Sequence, residues 1–95
     1  MTNTPELSII HNLETKRFEV KKNGHLAVLE YQLFDDTIIF TEARVPEVLG
    51  GQGIGSRLAV AGLHYARSQS LAVVPLCSFV ARYVQKHPEY QDLVK

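Results

Sequence analysis

The sequence predicts an α+β fold, in which a four-stranded antiparallel meander is followed by a helix, a fifth strand and a last helix. Three observations lead to this prediction. The first half reads as strands, and in "RFEVKK" apolar and charged residues alternate with a period of two. From Ile54 the apolar residues recur at helical spacing instead. A short apolar run, "LAVVPL", separates two helical stretches. We therefore expect one domain over residues 1–95, with the order β-β-β-β-α-β-α.

Two strands are predicted near the start of the chain. "LSIIHN" begins the first strand, and "RFEVKK" forms the second, where Phe18 and Val20 alternate with charged residues. Asn23-Gly24 follows at once, and both residue types tolerate the positive φ angles of a tight hairpin turn. The sequence therefore predicts a hairpin that leads directly into the third strand.

The third and fourth strands form the next hairpin. "HLAVLEYQLF" is typical of a long strand, and Asp35-Asp36 favours the turn after it. "TIIFTEARV" forms the fourth strand, which ends at Pro46 because proline has no N–H to donate to a neighbouring strand. One face of the third strand is expected to carry four apolar side chains: Ala27, Leu29, Tyr31 and Leu33.

The second half is predicted to contain two helices around a short strand. The first helix runs from Ile54 to about Gln69, and its apolar positions are Leu58, Ala61, Gly62, Tyr65 and Ala66. "LAVVPL" is typical of a strand buried on both faces. The last helix is expected from Ser78, as its N-cap, to about Lys86, before Pro88 closes it. Its apolar positions are Phe79, Val80, Tyr83 and Val84.

Composition excludes several classes of protein. The 95 residues have a formal net charge of zero, so an anionic ligand needs a local site and nucleic acid is not an expected partner. The single cysteine, Cys77, allows no intrachain disulfide. The N-terminus has no basic segment followed by an apolar run, and no apolar run approaches the roughly 20 residues of a membrane span. We expect a cytoplasmic domain with no membrane partner.

A glycine-rich segment lies between the fourth strand and the first helix. In "VPEVLGGQGIGSRL", residues 45–58, four glycines fall within six positions. A glycine-rich loop that opens a helix presents backbone N–H groups at the positive end of the helix dipole, which is a phosphate-binding arrangement. The alternative is a loop that only connects strand to helix, for which one or two glycines would suffice.

Three known kinds of phosphate-binding loop contain glycines in a similar pattern, and we compare each with this segment. A Walker A loop requires a Lys where Ser56 stands after Gly55. A dinucleotide-binding loop requires an acidic residue at the end of the next strand, and "LAVVPLC" has none. "GGQGIG" after a fourth antiparallel strand fits a third kind best, and it resembles the pyrophosphate loop of the GCN5-related N-acetyltransferases (GNAT), with the signature Gln/Arg-x-x-Gly-x-Gly/Ala.

The resemblance extends beyond the loop. Together with "VVPLCSFVARYVQKHPEY" and the closing "DLV", the glycine-rich segment resembles a small stand-alone subfamily of GNAT-like domains. The close match covers most of residues 37–95, and the first three strands match by pattern alone. Gly50 stands where the signature has Gln or Arg. Backbone donors would therefore hold the diphosphate without help from that side chain.

This resemblance implies a GNAT fold and a site for acetyl-CoA, or coenzyme A, where the fourth and fifth strands separate. Arg44 and Val45 would lie beside the pantetheine, which would pair with the strand edge. The loop would hold the pyrophosphate through Gly50, Gly51, Gln52, Gly53, Ile54, Gly55 and Ser56. The implied reaction is transfer of the acetyl group to a primary amine, either a small polyamine or a protein lysine or N-terminus.

Three residues are candidates for the chemistry. Glu42 could accept the ammonium proton directly or through water, or be a solvated strand carboxylate. Tyr83 could protonate the departing thiolate, or be a core tyrosine at helical spacing. Cys77 precedes a helix N-terminus, where the dipole favours the thiolate and a covalent acetyl-cysteine is conceivable. Its alternative is a small buried apolar residue.

The histidines are expected to have surface or structural roles. His11, His25 and His64 lack paired metal-ligand spacing, and no metal site is expected. His87 is expected to help end the last helix. Larger GNAT enzymes build much of the acceptor site from elements beyond the meander, so the resemblance implies an acceptor cleft that is open or is completed by a second copy, in a homodimer, or by another protein. The alternative functions are a non-catalytic CoA-binding module and an interaction domain whose glycine loop is structural.

Overall fold

A computed structural model describes residues 8–95 as one five-stranded sheet with two α-helices. The sheet order is β1-β2-β3-β4-β5. The strands are β1 (Ile9–Asn12), β2 (Arg17–Lys22), β3 (His25–Phe34), β4 (Thr37–Arg44) and β5 (Ala72–Pro75), and the helices are α1 (Ile54–Ser68) and α2 (Ser78–Lys86). The predicted order β-β-β-β-α-β-α is confirmed. Leu7, expected to begin the first strand, lies outside the described residues.

One hydrophobic core forms between the helices and one face of the sheet. Phe18 and Val20 alternate with charged residues along β2, and both are buried, as are Leu29 of β3 and Phe40 of β4. Side chains of both helices enter the same cluster as these strand residues. The other face carries charged side chains on β2, β3 and β4. The period-two pattern of β2 therefore reports a strand whose one face is covered.

Three expectations about the strands and helix ends are wrong. Leu33 is 41% exposed, because β3 runs past the core beyond Tyr31. β5 is buried only at Val73, since it is an edge strand rather than a central one. The N-cap of α2 is Cys77, and Ser78 is already the first helical residue.

Short 3-10 helices at Glu47–Leu49 and Pro88–Leu93 were not predicted. The second of them packs on α1. Arg67 donates to both carboxylate oxygens of Asp92, at 3.0 and 2.9 Å, and to the Glu89 carbonyl at 2.8 Å. This contact holds the pKa of Asp92 below its usual value and raises that of Arg67. Pro88 thus ends α2 and also begins a segment bound to α1.

β4 changes partners along its length, which positions the site described below. The β3–β4 register shifts between Glu30 and Tyr31, with Thr41 as the extra residue of a bulge. The parallel β4–β5 pairing ends at Phe40 opposite Pro75. β4 continues to Arg44, so residues 41–44 extend beyond their pairing with β5.

Within residues 8–95, no helix combines the length and the apolar character that crossing a bilayer requires.

Candidate functional site

The glycine-rich segment turns twice through the left-handed region of backbone space. Gly51 and Gly53 have φ angles of 77° and 76°, which L side chains rarely adopt. A Cβ built at either glycine would meet no atom within 4 Å, so both glycines border open space. Successive backbone N–H groups in such turns form concavities that bind anions. The loop is therefore shaped to receive an anionic group.

The first turn of α1 has backbone N–H groups that make no intrahelical hydrogen bond. Its N-cap is Gly53, and no side chain of the described residues caps the first turn. The Arg57 amide makes the first intrahelical bond, to the Gly53 carbonyl at 3.0 Å. The N–H groups of residues 54–56 precede that bond and point out of the helix end. Together with the helix dipole, they attract negative charge.

A cavity of about 280 Å³ lies over the loop, and both Val45 and the exposed Phe79 line it. The ring of Phe79 lies over the first turn of α1, where its Cζ would be 2.9 Å from a Cβ built at Gly55. Phe79 was expected among the apolar positions of α2, yet it is 41% exposed. The exposed aromatic ring therefore borders the glycine-rich segment, where a planar group can stack on it.

A groove continues from the loop between α1 and α2. One part, of about 560 Å³, is lined by Ser56, Arg57, His64 and Tyr83 among others. A second part, of about 310 Å³, is lined by Phe79, Arg82, Tyr83, Lys86 and His87 together with Ser56. Ser56 belongs to both parts and to the loop cavity, so the three spaces are neighbours.

Sequence reasoning missed the cations of this groove. Arg57, Arg82 and Lys86 make no ion pair with any of the residues that the structure describes. Their spacing carried a signal, since positions 82 and 86 lie on one face of a helix and position 57 lies in a first turn. The pairing of the two helices, which brings these positions together, could not be read from spacing. The groove is therefore locally basic in a chain without net charge.

Arg44 and Glu42 lie on the sheet face opposite the core. Arg44 donates to Glu30 at 2.7 Å and to Glu42 at 3.1 Å. Both hydrogen bonds raise the pKa of Arg44, and the bond to Glu30 has the larger effect. The side chain of Glu42 is 53% exposed. Glu42 is therefore a solvated, ion-paired carboxylate two residues past the end of the β4–β5 pairing.

Cys77 lies where β4 and β5 part. Its N–H donates to the Phe40 carbonyl at 2.8 Å, which is the last bond between the two chain segments before α2 begins. Its carbonyl accepts from the Ala81 amide at 3.0 Å, as the N-cap of α2. The side chain is 7% exposed and belongs to the core cluster. Cys77 therefore sits at the strand junction with a small accessible surface.

Tyr83 lines the groove beside Ser56. Its ring stacks on the His87 imidazole, with centroids 4.0 Å apart and planes at 21°. Burial, followed by the proximity of Tyr90 and Glu89, raises the pKa of Tyr83. The phenol is therefore protonated at neutral pH and can donate a proton or a hydrogen bond.

The predicted site residues fall into two groups. Val45, the loop of residues 50–56 and Tyr83 border connected spaces. Cys77 lies at the strand junction, and the Glu42 and Arg44 side chains are on the far face of the sheet. Among residues 8–95, no three His, Cys, Asp or Glu side chains are grouped so that they could hold a metal ion.

Comparisons with known proteins agree with this architecture. A family model for GCN5-related N-acetyl-transferases matches residues 17–93. An NMR solution structure of a GCN5-like protein from Staphylococcus aureus superposes with a TM-score of 0.74. That protein is 30% identical in sequence, and the match covers 94% of this chain and 88% of the other. The chain therefore belongs to the GCN5-related N-acetyltransferase family, whose chemistry is acyl transfer, and it has the fold of that family.

Proposed function

We propose that this protein transfers an acetyl group from acetyl-CoA to a primary amine and holds the cofactor diphosphate at residues 50–56. The observation that carries the proposal is the uncapped N-terminus of α1 behind two left-handed glycines that border open space. The donors there are neutral backbone amides in a dipole field that favours an anion. This donor set suits a diphosphate, and a Cβ at Gly51 or Gly53 would enter the space that it needs.

The strand junction would receive the pantetheine arm. Residues 41–44 extend past the last β4–β5 pair, so this part of β4 can take an added extended chain. Arg44 and Val45 follow the bulge and lead directly to the loop. The arm would thus run from Cys77 toward the glycines.

The basic groove suits the nucleotide end of coenzyme A. Arg82 and Lys86 line the groove beside Ser56, and Phe79 offers a ring face at the loop. An adenosine 3′-phosphate there would meet cations, whereas a cationic amine acceptor would be repelled. The acceptor would therefore approach from the other side, where Glu42 and Glu30 are exposed to solvent in part.

Acetyl-CoA supplies the acetyl group in activated form, as a thioester. The tasks left to the chain are to orient it, to take a proton from the amine and to supply one to the thiolate. We assign proton acceptance to Glu42 through a water, because its carboxylate is exposed near the strand junction. Tyr83 keeps its proton at neutral pH and is our candidate donor. Cys77, at the junction itself, is the candidate for direct contact with the acetyl group.

The loop assignment is tested by Gly53→Ala, with Gly24→Ala as the matched control. Both glycines have nearly the same φ, 76° and 78°, and at both an added Cβ meets nothing within 4 Å. Each substitution therefore costs about 1–2 kcal/mol of backbone strain. We expect Gly53→Ala to weaken CoA binding by roughly tenfold, the scale of one or two charge-assisted hydrogen bonds. Calorimetric titration with CoA measures both variants, and equal affinities for the two would contradict the assignment.

Mass spectrometry separates transfer from binding alone. The protein is incubated with acetyl-CoA and a panel of polyamines and lysine peptides. The masses of the small-molecule products and of the protein are then measured. Acetylated amine supports the proposal. A stable CoA complex without turnover indicates a CoA-binding module, and no complex indicates an interaction domain. An acetyl mass on the protein that Cys77→Ala removes would assign the thiol to the transfer, once slow chemical acetylation has been excluded with denatured protein.

A further inference from the structure

The β2–β3 hairpin touches the glycine-rich loop. At the end of β2, the Lys22 ammonium donates a hydrogen bond to the side-chain carbonyl of Gln52. Lys22 shares the parity of the buried Phe18 and Val20, so it points to the sheet face that the helices cover. Lys21 has the opposite parity and is exposed on the other face. A cation from thirty residues upstream is therefore held at the loop.

The loop itself contains no charge. Residues 50–56 have no acidic or basic side chain, and Glu47 just before them is acidic. Gly50 stands where the related signature has Gln or Arg, so a polar donor is missing from the loop's own sequence. A diphosphate at neutral pH carries negative charge on both phosphates. Backbone amides alone offset this charge less well than amides together with an ammonium group.

We propose that Lys22 supplies the missing cation for the cofactor diphosphate, an inference that rests on the proposed function. An ammonium group has three donors. Gln52 accepts from one, which leaves two for phosphate oxygens. Gln52 lies between the left-handed Gly51 and Gly53, so its side chain projects from the same turn that presents the amides. The Gln52 contact therefore positions the Lys22 ammonium beside the anion site.

The test uses four proteins: the native chain, Lys22→Gln, Lys22→Arg and Lys21→Gln. Lys22→Gln removes the charge and keeps a donor that can reach Gln52. Lys22→Arg keeps the charge. Lys21→Gln removes an equal charge from the same hairpin on the opposite face. Each is titrated by NMR with CoA and with pantetheine, which lacks the diphosphate, at low and high salt.

We expect Lys22→Gln to bind CoA roughly tenfold more weakly, the scale of one hydrogen bond to a charged group. Its CoA affinity should also depend less on salt. Lys21→Gln and Lys22→Arg should bind CoA within about twofold of the native chain, and all four should bind pantetheine alike.

Two results would overturn the inference while leaving the proposed function intact. One is equal CoA affinity of Lys22→Gln and Lys21→Gln. The other is an equal loss of CoA and pantetheine binding in Lys22→Gln, which would mean that Lys22 only supports the loop. Failure of the native chain to bind CoA would instead overturn the proposed function, and this inference with it.

Discussion

At the scale of single residues, His11 shows how burial sets the chemistry of a side chain. Its Nε2 lies 2.6 Å from the Tyr31 hydroxyl, its ring stacks on Phe18 with centroids 4.0 Å apart, and Tyr65 meets it edge-on at 4.4 Å. Burial lowers the pKa of His11 and raises that of Tyr31. The aromatic cluster that anchors the edge strand β1 therefore favours a neutral imidazole.

The stability of the protein should fall in mild acid because of His11. With its pKa lowered in the native state, the unfolded chain takes up a proton while native His11 is still neutral. The free energy of unfolding therefore decreases as pH falls through the ordinary value of 6.5, until the native pKa is reached. His11→Gln should flatten the dependence of Tm on pH between about 7 and 5.

His25→Gln is the control for this measurement, because His25 is exposed at the β2–β3 turn. It should leave the pH dependence of Tm as it is in the native chain. The same slope in His11→Gln and in the native chain, measured by circular dichroism, would refute the assignment to His11.

At the scale of elements, Gly62 sets how closely α1 packs on the sheet. A Cβ there would lie 2.7 Å from Cε1 and 2.9 Å from Cζ of Phe40, and 3.2 Å from Cδ2 of Leu29. Both neighbours are at most 1% exposed and cannot turn aside. The helix therefore lies against β3 and β4 at a separation that no larger residue permits.

Gly62→Ala should destabilise the protein, although alanine is favoured over glycine inside a helix by about 1 kcal/mol. Overpacking a filled core costs about 1–3 kcal/mol, so we expect the free energy of unfolding to fall. Gly55→Ala is the matched control on the same helix, since its Cβ would meet the exposed and movable Phe79 ring at 2.9 Å. Urea denaturation compares the two, and a Gly62→Ala protein as stable as Gly55→Ala would contradict this account.

At the scale of the whole molecule, a chain of zero net charge has one locally basic groove. Arg57, Arg82 and Lys86 line the groove between the helices. On the far face of the sheet, Glu19, Glu30 and Glu42 are paired with Arg17 and Arg44. The local field at the groove therefore exceeds what composition suggests, since these three cations form no ion pair with residues 8–95.

Lys86→Gln should reduce the preference of the protein for CoA over dephospho-CoA, which lacks the 3′-phosphate. We expect about a fivefold loss of CoA affinity, the scale of about 1 kcal/mol for an exposed charge pair. Dephospho-CoA should bind Lys86→Gln and the native chain alike. Calorimetry with both ligands measures this, and parallel losses for the two ligands would place the 3′-phosphate elsewhere.

The order and type of the elements were predictable from local patterns. Period two at Phe18 and Val20 and helical spacing from Ile54 arise within a few residues of chain, and so does the strand end at Pro46. The glycine-rich loop could also be located from the sequence. Four glycines within six positions are a local feature, so no knowledge of tertiary contacts is needed to see it. The predicted burial of residues at the ends of elements, such as Leu33, was wrong. Burial there depends on how far the helices that cover the sheet extend along each strand.

The sequence by itself determined the α+β order, the family and the place of a glycine-rich segment before α1. Only the tertiary structure decided which side chains surround that segment. Lys22 reaches Gln52 across thirty positions, Phe79 covers Gly55, and Arg44 pairs with Glu30 from a neighbouring strand. The physical reason is that backbone conformation is set by near neighbours in sequence, whereas a charge or a ring acts on whatever the sheet register and helix packing bring within a few ångströms.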